Sequence, residues 1–320
     1  MSEYVVPMDG AVDPAQVGVK VARLAELARE GIRVPEGFVV TASAYREFVR
    51  QDRLEPLIAQ EVRRYRAGRN VVVAAAEIRS AFDDESLPPA VVDEIVTAYR
   101  ELGGDGTEVA VRCSPRTAAD GVQDEVFLHL TTAHDVLAAC RRCFASLFNT
   151  VAFGNREAWG VDQLRVAMPV LVQRMVHADL GGSGTARGEN TFVRVSACWG
   201  LGEPPPPGAD QYSVHPGTRP LIVKHAGDKP MKNVYAEPRG THAVPTTPDE
   251  RTGLVLSDAD LQELARWSAL ADEHFHRPMT LEWAKDGLTG ELYLLEVRLG
   301  VAPEVMIRAD GRPDLEQQYG

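Results

Sequence analysis

Cysteine is scarce in this chain, four residues in 320. Its one close pair, Cys140 and Cys143, has no second pair or histidine cluster nearby to complete a tetrahedral zinc set. The pair instead keeps helical spacing with Val136, Leu137, Phe144 and Leu147, which predicts a buried helix. His274 and His276 precede a proline and bring no third ligand, so no metal site is expected there. Positive charge is in deficit: 34 lysines and arginines against 46 acidic residues leave a net charge of −12. That balance argues against a broad nucleic-acid footprint but leaves room for a local basic pocket that takes a nucleotide. No apolar run approaches the roughly 18 to 20 residues of a membrane span, and the acidic start MSEYVVPMDG is not a signal peptide. A cytoplasmic protein with no nucleic-acid and no membrane partner is therefore expected. Internal repeats are missing, and the one low-complexity tract is Pro204 to Pro207.

What is present is an ordinary globular composition, 44% apolar and 25% charged, on a chain long enough for roughly two domains. Helical periodicity dominates the first third. Val17, Val21, Leu24, Leu27 and Ala28 line one face, and Gly31 stands in the closing position. From Thr107 onward β-branched or alternating runs take over, at "TEVAVR", "EVFLHL", "AMPVLVQRMV" and "TFVRVSAC". Near the end Ser257 caps a helix whose Leu261, Leu264, Trp267, Ser268 and Ala271 share a face. The predicted class is α+β.

The segment "RPMTLEWAKDGLTGELYLLEVR", residues 277 to 298, reads as two strands around a loop marked by Asp286-Gly287 and Gly290. Simple alternation puts Thr280, Glu282 and Ala284 on one face of the first strand. In the second it groups Leu292, Leu294, Glu296 and Arg298, and leaves Tyr293, Leu295 and Val297 for the core. Carboxylates and an arginine thus gather at the far end from the loop, as a solvated ion pair or as a polyphosphate and metal site.

Read in order, "VGVKVARLAELAREGIRVPEGFVVTASAYREF", "VAVRCSP", "CRRCFASLFN", "VLVQRMVHADLGGSG", "VSACWGLGE" and "RPMTLEWAKDG…LYLLEVR" resemble the ATP-binding domain of the phosphoenolpyruvate synthase and pyruvate phosphate dikinase family. The resemblance covers nearly the whole chain. It implies an ATP-grasp-like fold with a helix-rich N-terminal part, divided here into residues 1–182 and a C-terminal subdomain, 183–320, that carries the hairpin. It also implies ATP and Mg2+ as cofactors, and phosphate transfer to a histidine on a separate phosphohistidine-domain protein or to a small-molecule acceptor. A degenerate, non-catalytic nucleotide-binding or regulatory protein is the alternative.

By the same resemblance Lys20, Arg112 and Arg298 are the phosphate cations and catalytic groups. Gln173, Met175 and Val176 line the nucleotide base, Glu203 borders the nucleotide, Glu282 takes magnesium, and Glu296 takes metal or nucleotide. Four departures stand out. Gly18-Val19-Lys20 replaces a glycine-glycine-lysine, so one close backbone approach is expected to be lost. The phosphate loop is several residues shorter, keeping Gly121, with Arg116 as a substitute cation. Thr280 stands where the family has aspartate, and Glu296 where it has glutamine. The segment after "HADLGGSG" is also shortened, and no phosphocarrier motif follows.

Overall fold

The computed structural model describes residues 3–11, 13–50, 53–115, 125–179, 181–189, 192–201, 208–215, 221–236 and 241–300. The chain divides into two compact units. Residues 1–26 and 36–175 form the first, and 27–35 with 176–320 form the second. The division falls before the expected one at 182/183 because Val176 and Ala178 already pack against Ala284 of the hairpin.

The first unit sets helices against a five-stranded antiparallel sheet. Its strands are β1 (Val5–Pro7), β2 (Gly37–Val40), β3 (Val109–Cys113), β4 (Val126–Leu130) and β5 (Val170–Arg174), in the order β1-β2-β5-β3-β4. Phe38, Val40, Val109, Val111, Val170 and Val172 turn one face of this sheet into the main core. Helices α1 (Pro14–Val17) and α2 (Val19–Arg29) lie between β1 and β2, and α3 (Ala42–Val49), α4 (Leu54–Arg66), α5 (Val71–Asp84) and α6 (Pro89–Leu102) follow β2. Beyond β4 come α7 (Ala133–Ser146) and α8 (Thr150–Ala158). Tyr45, Phe48, Phe82, Phe144 and Phe148 interlock edge-on and tilted where α3, α5 and α7 meet.

Cys140 and Cys143 lie in α7, fully buried, and burial pushes the Cys140 thiol up to about 12, away from the thiolate a metal needs. The stretch Ala133–Ala158 is long and apolar enough to cross a membrane by length and composition, yet 61% of its apolar window is buried inside the protein. Most of its apolar side chains belong to the core, with Val151 the exposed exception.

The second unit is built on a six-stranded antiparallel sheet in the order β13-β12-β6-β7-β8-β9. Its strands are β6 (Gly182–Glu189), β7 (Phe192–Trp199), β8 (Asp210–His215), β9 (Leu221–His225), β12 (Met279–Lys285) and β13 (Leu292–Leu299). A separate ribbon pairs β10 (Met231–Tyr235) with β11 (Thr241–Pro245), and the short helix α9 (Pro248–Thr252) follows it. Helix α10 (Asp258–Phe275) starts at a capping box, Ser257 with Asp260, and buries Leu261, Leu264, Trp267, Ser268 and Ala271 as its spacing predicts. It packs on β6, β7, β8 and β12. Strand β6 has no strand pattern in sequence because "GSGTARGE" holds a single strand-forming residue, Thr185, among three glycines. Its glycines serve close packing instead: a Cβ on Gly188 would lie 2.2 Å from Asp272 Oδ2 of α10.

Candidate functional site

In the first unit the start of α2 is fastened to the end of β3. Gly18 adopts φ +81°, and a Cβ there would stand 2.1 Å from Ser114 O. Ser114 Oγ donates to Val17 O (2.8 Å), and Val19 N donates to Pro115 O (3.4 Å). The backbone leading into Lys20 is thus held against the residues just after Arg112. Gly18 makes a close approach of its own, to protein backbone.

Arg112 pairs in register with Leu171, and Ala110 with Gln173, so Arg112 and Gln173 share the sheet face turned away from the main core. Arg112 Nε is buried and finds no hydrogen-bond partner among the described residues. Gln173, next to last in β5, is buried, and Met175 N donates to Glu108 O (2.9 Å). Arg116, Gly121 and Glu203 lie outside the described residues.

The second unit holds the hairpin. Glu282 faces Glu296 across the β12–β13 ladder, and Thr280 faces Arg298. Arg298 reaches both carboxylates. Its Nη1 lies 2.9 Å from Glu282 Oε1, while Nε and Nη2 donate to the two oxygens of Glu296 at 2.7 and 3.2 Å. Glu282 is 5% exposed, so its charge is compensated inside the protein rather than by water.

The facing of β13 differs from simple alternation. The register shifts between Glu282 and Trp283, so Glu282 pairs with Glu296 but Trp283 pairs with Leu294, and Leu295 is the extra residue of a β-bulge. Leu292, Leu294 and Val297 are consequently buried with Leu281 and Trp283, while Tyr293 falls opposite Ala284. The grouping of Leu292 and Leu294 with Glu296 and Arg298 is overturned, as is the placing of Tyr293 and Leu295 with Val297. One consequence is chemical. Ala284, Tyr293 and Leu295 join Val176, Ala178 and Leu201 in an apolar cluster that adjoins the charged end of the hairpin. The hairpin thereby carries a packed apolar cluster, in which Tyr293 and Leu295 stay partly exposed, beside its charged end.

At the loop Asp286 accepts from His177 N (3.1 Å), Leu288 N (2.8 Å) and Thr289 N (2.9 Å). Burial works to raise its carboxyl, but the amides of Thr289, His177 and Leu288 outweigh it and hold the group below its usual 3.8. With the folded pKa depressed, Asp286 contributes stability above about pH 4 that is lost as pH falls through the lowered value. Asp286→Ala is therefore expected to cost about 1–2 kcal/mol near neutrality. Urea denaturation should find that difference shrinking as the pH falls below the usual carboxylate range; a cost independent of pH would contradict it.

Among the described residues no group of three or more histidine, cysteine or acidic side chains is placed to hold a metal alone. Two facing carboxylates beside a hydroxyl and an arginine fit magnesium held jointly with phosphate oxygens, because that ion takes few protein carboxylates.

The model of the family described as pyruvate phosphate dikinase, AMP/ATP-binding domain, matches residues 14–304, and the chain belongs to that family. Three phosphoenolpyruvate synthases are similar to it. The enzyme of Deinococcus radiodurans is 36% identical over 92% of this chain and 40% of its own length. That of Pseudomonas aeruginosa is 36% identical over 93% of this chain and 42% of its own. That of Escherichia coli is 35% identical over 90% and 40%. The chain thus spans about two-fifths of the length of these relatives.

Proposed function

We propose that the chain binds ATP with magnesium and transfers a phosphoryl group to a histidine on a separate protein or to a small acceptor. The observation that carries this is the pairing of Glu282 with Glu296 and Arg298 on a sheet face that continues into Ala284, Tyr293 and Leu295. The partly exposed Tyr293 and Leu295 suit a base or ribose and the charged end a polyphosphate. Glu282 and Glu296 would hold magnesium, which supplies charge neutralisation at the phosphate oxygens. Arg298 presents a planar fork to an anion, and a phosphate competes for it with the carboxylates it now joins. Lys20 and Arg112, on the first unit, are further phosphate cations in this reading, and Gln173, Met175 and Val176 contact the base.

Calorimetry with ATP, with and without magnesium, tests the binding step. ATP should bind in both conditions and more tightly with the metal, and Glu282→Gln should remove about tenfold or more of the metal-dependent gain. No heat in either condition would end the proposal. Transfer of label from γ-labelled ATP to a phosphohistidine-domain protein then separates catalyst from binder. One observation favours the second reading, a nucleotide-binding protein without turnover: Thr280 brings no charge beside Glu282, and Arg298 is already engaged by both carboxylates. That reading expects binding without label transfer.

A further inference from the structure

The pairing register of the second sheet sets Arg298, Thr280, Arg187 and Arg194 side by side on β13, β12, β6 and β7. The adjacent rung on the same face holds Glu296, Glu282, Thr185 and Ser196. Two of the three arginines are neutralised by carboxylates. Arg298 bridges Glu282 and Glu296, and Arg194 is chelated by Glu189 through two bonds of 2.9 Å. Arg187 is different. It is partly buried, its Nε is enclosed without a hydrogen-bond acceptor, and no ion pair joins it to a carboxylate among the described residues.

Acidic groups whose field reaches Arg187 include Asp272 and Glu189. Neither closes an ion pair with Arg187: one oxygen of Asp272 accepts from Met279 N at 2.7 Å, and Glu189 is chelated by Arg194. Across the ladder stands Thr280, which carries no charge. A half-enclosed guanidinium is costly to leave without a close acceptor, and no described carboxylate closes an ion pair with it, which favours an anion supplied as ligand.

We infer that Arg187 is an anion-binding residue of this face, taking a phosphate oxygen of the nucleoside polyphosphate whose other oxygens Arg298 holds; the inference rests on the nucleotide reading given above. Thr280 is then the residue that makes Arg187 available, since a carboxylate at that position would neutralise it from the neighbouring strand. The ligand is recognised through its distal phosphates and requires no metal at this point.

Calorimetry in the presence of a chelator tests this with ATP, ADP and AMP on the full chain, the Arg187→Gln and Arg187→Lys variants, and Thr280→Asp. Arg187→Gln should weaken ATP by about ten- to a hundredfold, as expected for a charge-assisted hydrogen bond, and should leave AMP unchanged. Arg187→Lys should recover part of the loss, and Thr280→Asp should reproduce it with Arg187 still present. Unchanged ATP affinity in Arg187→Gln would overturn the inference while leaving the nucleotide reading intact. Equal weakening of ATP, ADP and AMP, together with a lowered melting temperature, would also overturn it, as the mark of a purely structural arginine. If the unmodified protein binds no ATP, the nucleotide reading falls first and this inference with it.

Discussion

Arg298→Ala is expected to lower phosphoryl transfer from ATP by roughly a thousandfold, the scale on which a single arginine stabilises charge spread over a transferring phosphoryl group. The side chain is exposed enough to meet a ligand, at 45%, while it contacts a carboxylate that is almost wholly enclosed. Removing it therefore has two effects that must be separated. Glu282 and Glu296 would face each other across the ladder with no cation between them, and like charges directly opposite are destabilising. The melting temperature of the alanine variant should fall for that reason alone.

Arg298→Lys keeps a positive charge near the two carboxylates but loses the planar fork. Its melting temperature should stay close to that of the unmodified protein, while its transfer rate falls by about tenfold or more. Metal-free ATP affinity should fall in both variants. If Arg298→Ala lowers only the melting temperature, with the rate per folded molecule unchanged, Arg298 is a structural ion-pair residue and the charged end of the hairpin is not a phosphate site.

Local signals in the sequence carried much of this fold. Gly31 does close α2 with φ +85°, Ser257 does cap α10, and its predicted face is the one buried. Asp286 and Gly287 do fall between the hairpin strands. These features depend on residues within a few positions of one another. The failures share the opposite property. The bulge at Leu295 is set by pairing with β12, and no local pattern distinguishes "LYLLEVR" as a regular strand from the same residues with one extra. Strand β6 is held by its neighbours and by the close approach of α10 to Gly188. Arg187 could not be singled out for the same reason, because its significance lies in facing Thr280 from a strand about ninety positions away, a relation only the register reveals. The site residues Glu282, Glu296 and Arg298 were legible through the family resemblance and the clustering of their charges. Their mutual contacts, and the apolar cluster beside them, needed the bulge.

Lys229→Met is expected to destabilise the second unit by about 3–5 kcal/mol, the usual consequence of leaving a buried charge without its partner. Lys229 and Asp210 are 3% and 0% exposed and form an ion pair. Asp210 is fully engaged: besides Lys229 it accepts from Gly227 N (2.8 Å), Val255 N (2.9 Å) and Tyr212 OH (3.0 Å). Lys229 in turn donates to Gly227 O (3.0 Å). This one carboxylate therefore ties the start of β8 to the loop after β9 and to the segment that leads into the cap of α10. At about 2–4 °C per kcal/mol for a unit of this size, the melting temperature should drop by roughly 6–20 °C. Asp210→Asn combined with Lys229→Met should cost less than the sum of the two single changes, because each single change strands a charge that the pair removes together. The site makes the result informative about function as well. α10 packs on β6 and β12, the strands that carry Arg187 and Glu282, so the Lys229 variant should lose ATP binding only in step with unfolding. Wild-type affinity below its transition and none above it would make the ion pair a support for the sheet and not part of the phosphate site; a drop of less than about 2 °C would mean that water reaches the pair after all.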